Sequence, residues 1–195
     1  MLGHTVLMKV TAIFMAAGIA LAPAHALAVE PQGFMMSVSG GSYRAVIRDR
    51  NREPSWTYSH SQIGFDTRKL EHDDLFLSVR IGGAIAGRHM IQARYDRYVI
   101  PEGAEDSYIA SVGPEYTVYL LRGAVSPFVS VSTAVTMSGG TRFRFIGSGQ
   151  SVGVGVALGH LTLRIDRTTM EQASDYYDLS REITATKASI QMVFY

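Results

Sequence analysis

The stretch QSVGVGVALGHLTLRID, residues 150–166, alternates with a period of two. Val152, Val154, Val156 and Leu158 take turns with Ser151, Gly153, Gly155 and Ala157; after Gly159-His160, Leu161, Leu163 and Ile165 alternate with Thr162, Arg164 and Asp166. Successive side chains on a strand point to opposite faces, so this spacing predicts two strands joined by a tight turn. One face is all branched aliphatics. The other is glycine, serine and an occasional charge. A half-buried strand in water shows long polar side chains on its wet face, not glycine.

The same two faces recur along the chain. Over 127–137, Val129, Val131, Val135 and Met137 oppose Ser130, Ser132, Ala134 and Thr136. Over 74–86, Leu75, Leu77, Val79, Ile81 and Ile85 oppose Ser78, Arg80, Gly82 and Ala84. Over 107–121, Tyr108, Val112, Tyr116, Val118 and Leu120 oppose Ser111, Gly113, Glu115 and Thr117. The small face suits a narrow, crowded barrel interior, and the aliphatic face suits lipid. A soluble barrel with the valines inside would carry long charged side chains on every exposed strand, and these are missing.

Alternating runs lie at about 34–47, 57–68, 74–86, 107–121, 127–137, 148–158, 161–170 and 184–195. Each is near the ~9–11 residues that a membrane-crossing strand needs. Short connections at 70–74, 122–126 and 159–160 alternate with longer ones at 48–56, 87–106, 138–147 and 171–182. That rhythm predicts an all-β fold, a transmembrane antiparallel up-and-down β-barrel of about eight strands. An even count also returns the chain to the side on which it started. The segment 87–106 reads as a long, partly extended loop; counting its MIQARYDRYVI portion and RFRF as strands gives ten as the alternative.

Residues 8–28 carry a lysine, a short apolar run and small residues ending Ala26-Leu27-Ala28. This layout predicts a signal peptide over 1–28, with Met8 as an alternative start to Met1, and a barrel domain over 29–195. The run from Val10 to Ala22 is too short for a spanning helix. The expected destination is a Gram-negative outer membrane. With no cysteine and a net charge of +1, disulfides, cysteine-ligated metal and nucleic-acid binding are not expected. The histidines show no metal-ligand spacing, and no cofactor is expected.

The predicted lumen holds Arg80, Glu115, Arg164, Asp166 and Lys187. Buried charges must pair or cost several kcal/mol each, so a salt-bridge plug is expected, with an ion pathway or small-solute pore as the alternative. His160-Leu161-Thr162 invites comparison with lipid A deacylases, which carry a His-x-Ser pair. No acidic partner is evident at that turn, and a nucleophile needs both a base and an orienting group. His60 between Ser59 and Ser61 reads as a polar cluster at a strand end. A non-enzymatic protein is expected, with a lipid A-modifying enzyme as the alternative. The closing strand TATKASIQMVFY puts Thr186, Ala188, Ile190, Met192 and Phe194 on the lipid face and Lys187, Ser189 and Gln191 inside. Ile190, Met192, Phe194 and Tyr195 would form the signal read by barrel-assembly machinery. Arg48, Arg50, Arg52, Arg94, Arg97, Tyr176 and Tyr177 are expected on outer loops, where basic and aromatic groups suit lipopolysaccharide phosphates, sulfated glycans or host proteins.

YIASVGPEYTVYLLRGAVSPFVSVSTAV (108–135) and SVGVGVALGHLTLRID (151–166), with the long connection and closing strand that follow, resemble the Ail/Lom/OmpX family of small outer-membrane proteins. The likeness covers about residues 107–195; the part before it agrees only in layout. The resemblance implies an eight-stranded monomeric barrel whose strands protrude outside the cell. It also implies roles in adhesion, invasion or serum resistance.

Overall fold

The computed structural model describes residues 33–51, 69–85, 87–99, 106–123, 125–140, 144–174 and 179–194. Eight strands, β1 (Gly33–Asn51), β2 (Lys69–Ile85), β3 (His89–Val99), β4 (Asp106–Tyr119), β5 (Val125–Gly140), β6 (Arg144–Leu158), β7 (Leu161–Ser174) and β8 (Leu179–Phe194), pair in chain order. They close into one antiparallel barrel. Closure removes both sheet edges, so every backbone ladder finds a partner without water.

The register fixes the tilt. From Val38 the partners run to Val79, Tyr95, Val112, Val135, Ser148, Glu171 and Glu182, and return to β1 at Arg48, ten residues further along. A barrel of eight strands with that stagger is just wide enough for side chains to fill it. At one end the connections are short: residues 86–88, 120–124 and the two-residue turn Gly159-His160. Gly87 and Gly159 there have φ of +70° and +60°, a left-handed backbone that glycine adopts without steric cost.

The outer wall is apolar. Phe34 is 71% exposed, Val125 57%, Val152 56% and Ile165 56%. The inner wall is charged at mid-height, with an apolar cluster on either side. Met35, Met90, Tyr119, Phe128 and Val193 pack together at the short-turn end. Tyr43, Ile47, Phe76, Tyr98, Ile109, Met170 and Ile183 pack together in the other half.

Three sequence expectations change. Residues 87–106 are not a loop: His89–Val99 is β3, with Met90, Gln92, Arg94, Asp96 and Tyr98 turned inward. Its inner face carries large side chains, so it lacks the small-residue signature of its neighbours. Residues 70–74 are not a turn but part of β2, so β2 runs in the opposite sense to that expected. The strand expected at 57–68 lies outside the described residues. The strands also run beyond their apolar portions: β1 continues through Arg48 and Arg50, and β5 and β6 leave only residues 141–143 between them. Ladder hydrogen bonds need no apolar side chains, so a strand persists above the greasy zone.

Candidate functional site: a charged belt across the lumen

Every second residue of a barrel strand points inward, and at mid-height those residues are Arg80 on β2, Arg94 and Asp96 on β3, Glu115 on β4, Arg164 and Asp166 on β7, and Lys187 on β8. Arg80, Asp166 and Lys187 are 0% exposed, and Glu115 is 1% exposed. Arg164 grips Glu115 with two parallel bonds, Nη1 to Oε1 at 2.6 Å and Nη2 to Oε2 at 2.8 Å. Arg94 Nη1 reaches Glu115 Oε2 at 2.9 Å, and Arg80 Nε reaches Oε1 at 3.2 Å. Glu115 is therefore the hub of three guanidinium groups contributed by three different strands.

Two Arg-x-Asp units flank that hub. Arg94 Nε donates to Asp96 at 3.0 Å, and Arg164 Nε donates to Asp166 at 2.8 Å. Residues two apart share a face of a strand, so each unit is satisfied locally. β3 and β7 sit four places apart in a ring of eight, which puts the two units across the lumen from one another. Lys187 Nζ closes the ring on Asp96 Oδ2 at 2.6 Å. Hydroxyls take three further bonds: Ser39 from Arg80 at 3.0 Å, Ser132 from Arg94 at 3.2 Å and Ser130 from Arg164 at 2.7 Å. Aromatic faces cap the belt on both sides. The Arg164 guanidinium lies 5.7 Å from the Phe128 ring centre. Lys187 Nζ lies 5.3 Å and 5.4 Å from those of Phe76 and Tyr98.

The glycines of 150–166 now have their reason. A Cβ on Gly153 would overlap Asp166 Oδ1 and stand 2.6 Å from Ser130 Oγ; one on Gly155 would overlap Leu163 O and the Phe128 ring. The inner wall of β6 is bare at Gly153 and Gly155 because groups from β5 and β7 fill the space in front of them.

The five lumen residues read from sequence come together here. Arg94 and Asp96 complete the belt and were missed. Arg94 was expected on a loop; it is 5% exposed inside the barrel, because β3 is a strand and its even-numbered residues face inward. The signal that could have found both was the repeated Arg-x-Asp spacing at 94–96 and 164–166. Arg48 and Arg97 are exposed on the outer wall of strands, not on loops. Arg50 lies on β1. Arg52, Tyr176, Tyr177 and Tyr195 lie outside the described residues, as do Ser59, His60 and Ser61. Ile190, Met192 and Phe194 face outward on β8 while Val193 faces in.

His160 and Thr162 point to separate tasks. His160 Nδ1 lies 3.1 Å from the Val193 carbonyl, which ties the turn to β8, and Thr162 is buried in the lumen. Among the described residues no group of three histidine or acidic side chains is placed to hold a metal ion.

No family model matches the sequence, and no curated protein is significantly similar to it. Solved structures do match. Neisserial surface protein A is similar over 84% of this chain and 99% of its own, with 12% identity and a TM-score of 0.50. The fold is that of the small outer-membrane barrels. OprG of Pseudomonas aeruginosa aligns over 85% of this chain and 98% of its own at 11% identity, with a TM-score of 0.41. Ail of Yersinia pestis, solved with the heparin analogue sucrose octasulfate, aligns over 83% of this chain and all of its own at 10% identity, with a TM-score of 0.39.

Proposed function

We propose that the protein is exported by a signal peptide over residues 1–28 and resides as a monomer in a Gram-negative outer membrane. There it acts without catalysis, as a sealed barrel that displays binding segments outside the cell. The observation carrying this reading is the outward apolar belt. Phe34, Leu77, Val125, Val131, Val152, Ile165 and Met192 are all at least 49% exposed. A continuous belt of that kind marks a membrane surface, not a wet one. His89 and Tyr116, stacked and hydrogen-bonded at 2.6 Å on the outer wall toward the short-turn end, fit the aromatic girdle of a bilayer boundary.

The charge-filled mid-section of the lumen argues for structure over transport. Charges paired across the width of the barrel, with an apolar cluster on either side, support a plug. The binding role falls to the end opposite the short turns, where residues 52–68 make the longest connection and Arg48 lies exposed nearby. Basic groups there suit lipopolysaccharide phosphates or the sulfated and acidic groups of host surfaces. Barrel-assembly machinery would read Ile190, Met192, Phe194 and Tyr195. The test is a barrel in which 52–68 and 100–105 are replaced by short turns. It should still migrate faster unheated than boiled, in the outer-membrane fraction, while losing attachment to heparin or to host cells. Attachment unchanged by the exchange overturns the binding role; a soluble periplasmic protein overturns the membrane reading.

A further inference from the structure

The outer apolar belt is not of even height. Outward positions on β5 run Val125, Pro127, Val129, Val131, Thr133, Val135 and Met137, with one polar interruption. Those twelve steps cover ~40 Å of strand, or roughly 28 Å of height at a tilt near 45°. On β8 the apolar run stops after Phe194, Met192, Ile190 and Ala188, and on β7 after Leu161, Leu163 and Ile165. Six and four steps give only about 14 Å and 9 Å of height. Above them the wall turns polar. Arg44, Thr186 and Arg167 stand side by side on consecutive ladders, followed upward by Thr169 and Glu171. β4 is apolar or aromatic outward from Val112 through Pro114 and Tyr116 to Val118, and β4–β5 and β8–β1 are on opposite sides of the ring.

A tilted barrel would slant both edges of its belt together. Here the lower edge is apolar on both sides: Leu121 and Val125 are 58% and 57% exposed under the tall flank, Phe34 and Phe194 71% and 46% under the short one. Only the upper edge slants. We propose that the barrel carries a wedge-shaped lipid belt, tall over β4–β5 and short over β7–β8–β1, which draws the outer lipid boundary down to Arg167 and Thr186 on the short side. The occupant is lipid on both flanks, because each is continuous with the belt beneath it. A bilayer meeting a short apolar span thins locally, so lipid phosphates come within reach of the Arg167 guanidinium. This rests on the membrane reading above.

The native chain has no cysteine, so single labels report cleanly. Val129→Cys and Ile165→Cys mark the common belt; Val135→Cys and Met137→Cys mark the upper tall flank; Thr169→Cys and Thr186→Cys mark the upper short flank. Leu121→Cys and Phe34→Cys mark the lower edge. Each variant carries a nitroxide in dioleoylphosphatidylcholine vesicles, and its exposure to oxygen and to a water-soluble nickel chelate is compared. The wedge predicts oxygen access at Val129, Ile165, Val135 and Met137, a severalfold higher nickel-to-oxygen ratio at Thr169 and Thr186, and matching depths at Leu121 and Phe34. Equal ratios at the four upper positions overturn it. A wet Leu121 with a deep Phe34 means rigid tilt and overturns it too, as does shielding of Val135 and Met137 from both reagents, which would mean that protein covers the flank. Nickel access at Val129 and Ile165 would overturn the membrane reading itself.

Discussion

Replacing Glu115 by glutamine should loosen the whole barrel from a single atom's change. Glu115 takes both bonds of the Arg164 fork and one each from Arg94 and Arg80. Glutamine keeps the shape but offers one acceptor and turns an amide donor toward a donor. Four cations would then face only Asp96 and Asp166, 1% and 0% exposed. Removing one partner of a buried ion pair costs about 3–5 kcal/mol, because the remaining charge is left uncompensated. For a chain of this size that is roughly a 6–20 °C fall in the midpoint of the folded-to-unfolded shift on electrophoresis. Arg97→Gln is the control: it lies on the same strand as Arg94 but faces outward, and surface changes stay within about 0.5 kcal/mol. A Glu115→Gln midpoint within two or three degrees of wild type, with Arg97→Gln alongside it, would refute the hub. The belt would then be surplus to the apolar clusters on either side of it.

Other outcomes follow from the same geometry. Gly153→Ala forces a methyl against Asp166 and Ser130 and should cost about 1–3 kcal/mol by overpacking, read from the same gel shift. Val154→Arg, outward and 52% exposed, should cost ~2–4 kcal/mol in a bilayer and little in a detergent that lets the side chain reach water; equal loss in both would put that face against protein. Phe128→Ala should cost about 3–5 kcal/mol by emptying the lower apolar cluster, yet planar-bilayer recordings should stay silent because the charged belt still spans the lumen. Steady, reproducible conductance from the wild-type barrel would sink the plug. His160→Ala should leave the mass of extracted lipid A unchanged, and a change would restore the enzyme reading.

The faces of β5, β6, β7 and β8 are legible from strict alternation in the sequence, and with them the inward placement of Arg164, Asp166 and Lys187. The same pattern on residues 74–86 and 107–121 places Arg80 and Glu115. β3 escapes because Met90, Gln92, Arg94, Asp96 and Tyr98 are large. A search for small inner residues passes over such a strand, and its charges then read as a loop. The sense of β2 escapes for a related reason: LEHDD has the composition of a turn, but its backbone is held in ladders to β1.

What the sequence determined by itself is which face of β5, β6, β7 and β8 meets lipid, because the period of two is a local steric property and needs no partner. Which charges meet is another matter. That Glu115 lies among Arg80, Arg94 and Arg164, that Gly153 must stay bare before Asp166, and that the upper polar wall of β8 and β1 stands opposite β4 and β5 depend on register. The ten-residue stagger of the closed ring is the sum of eight pairings, none of them local, and closure of the barrel alone decides it.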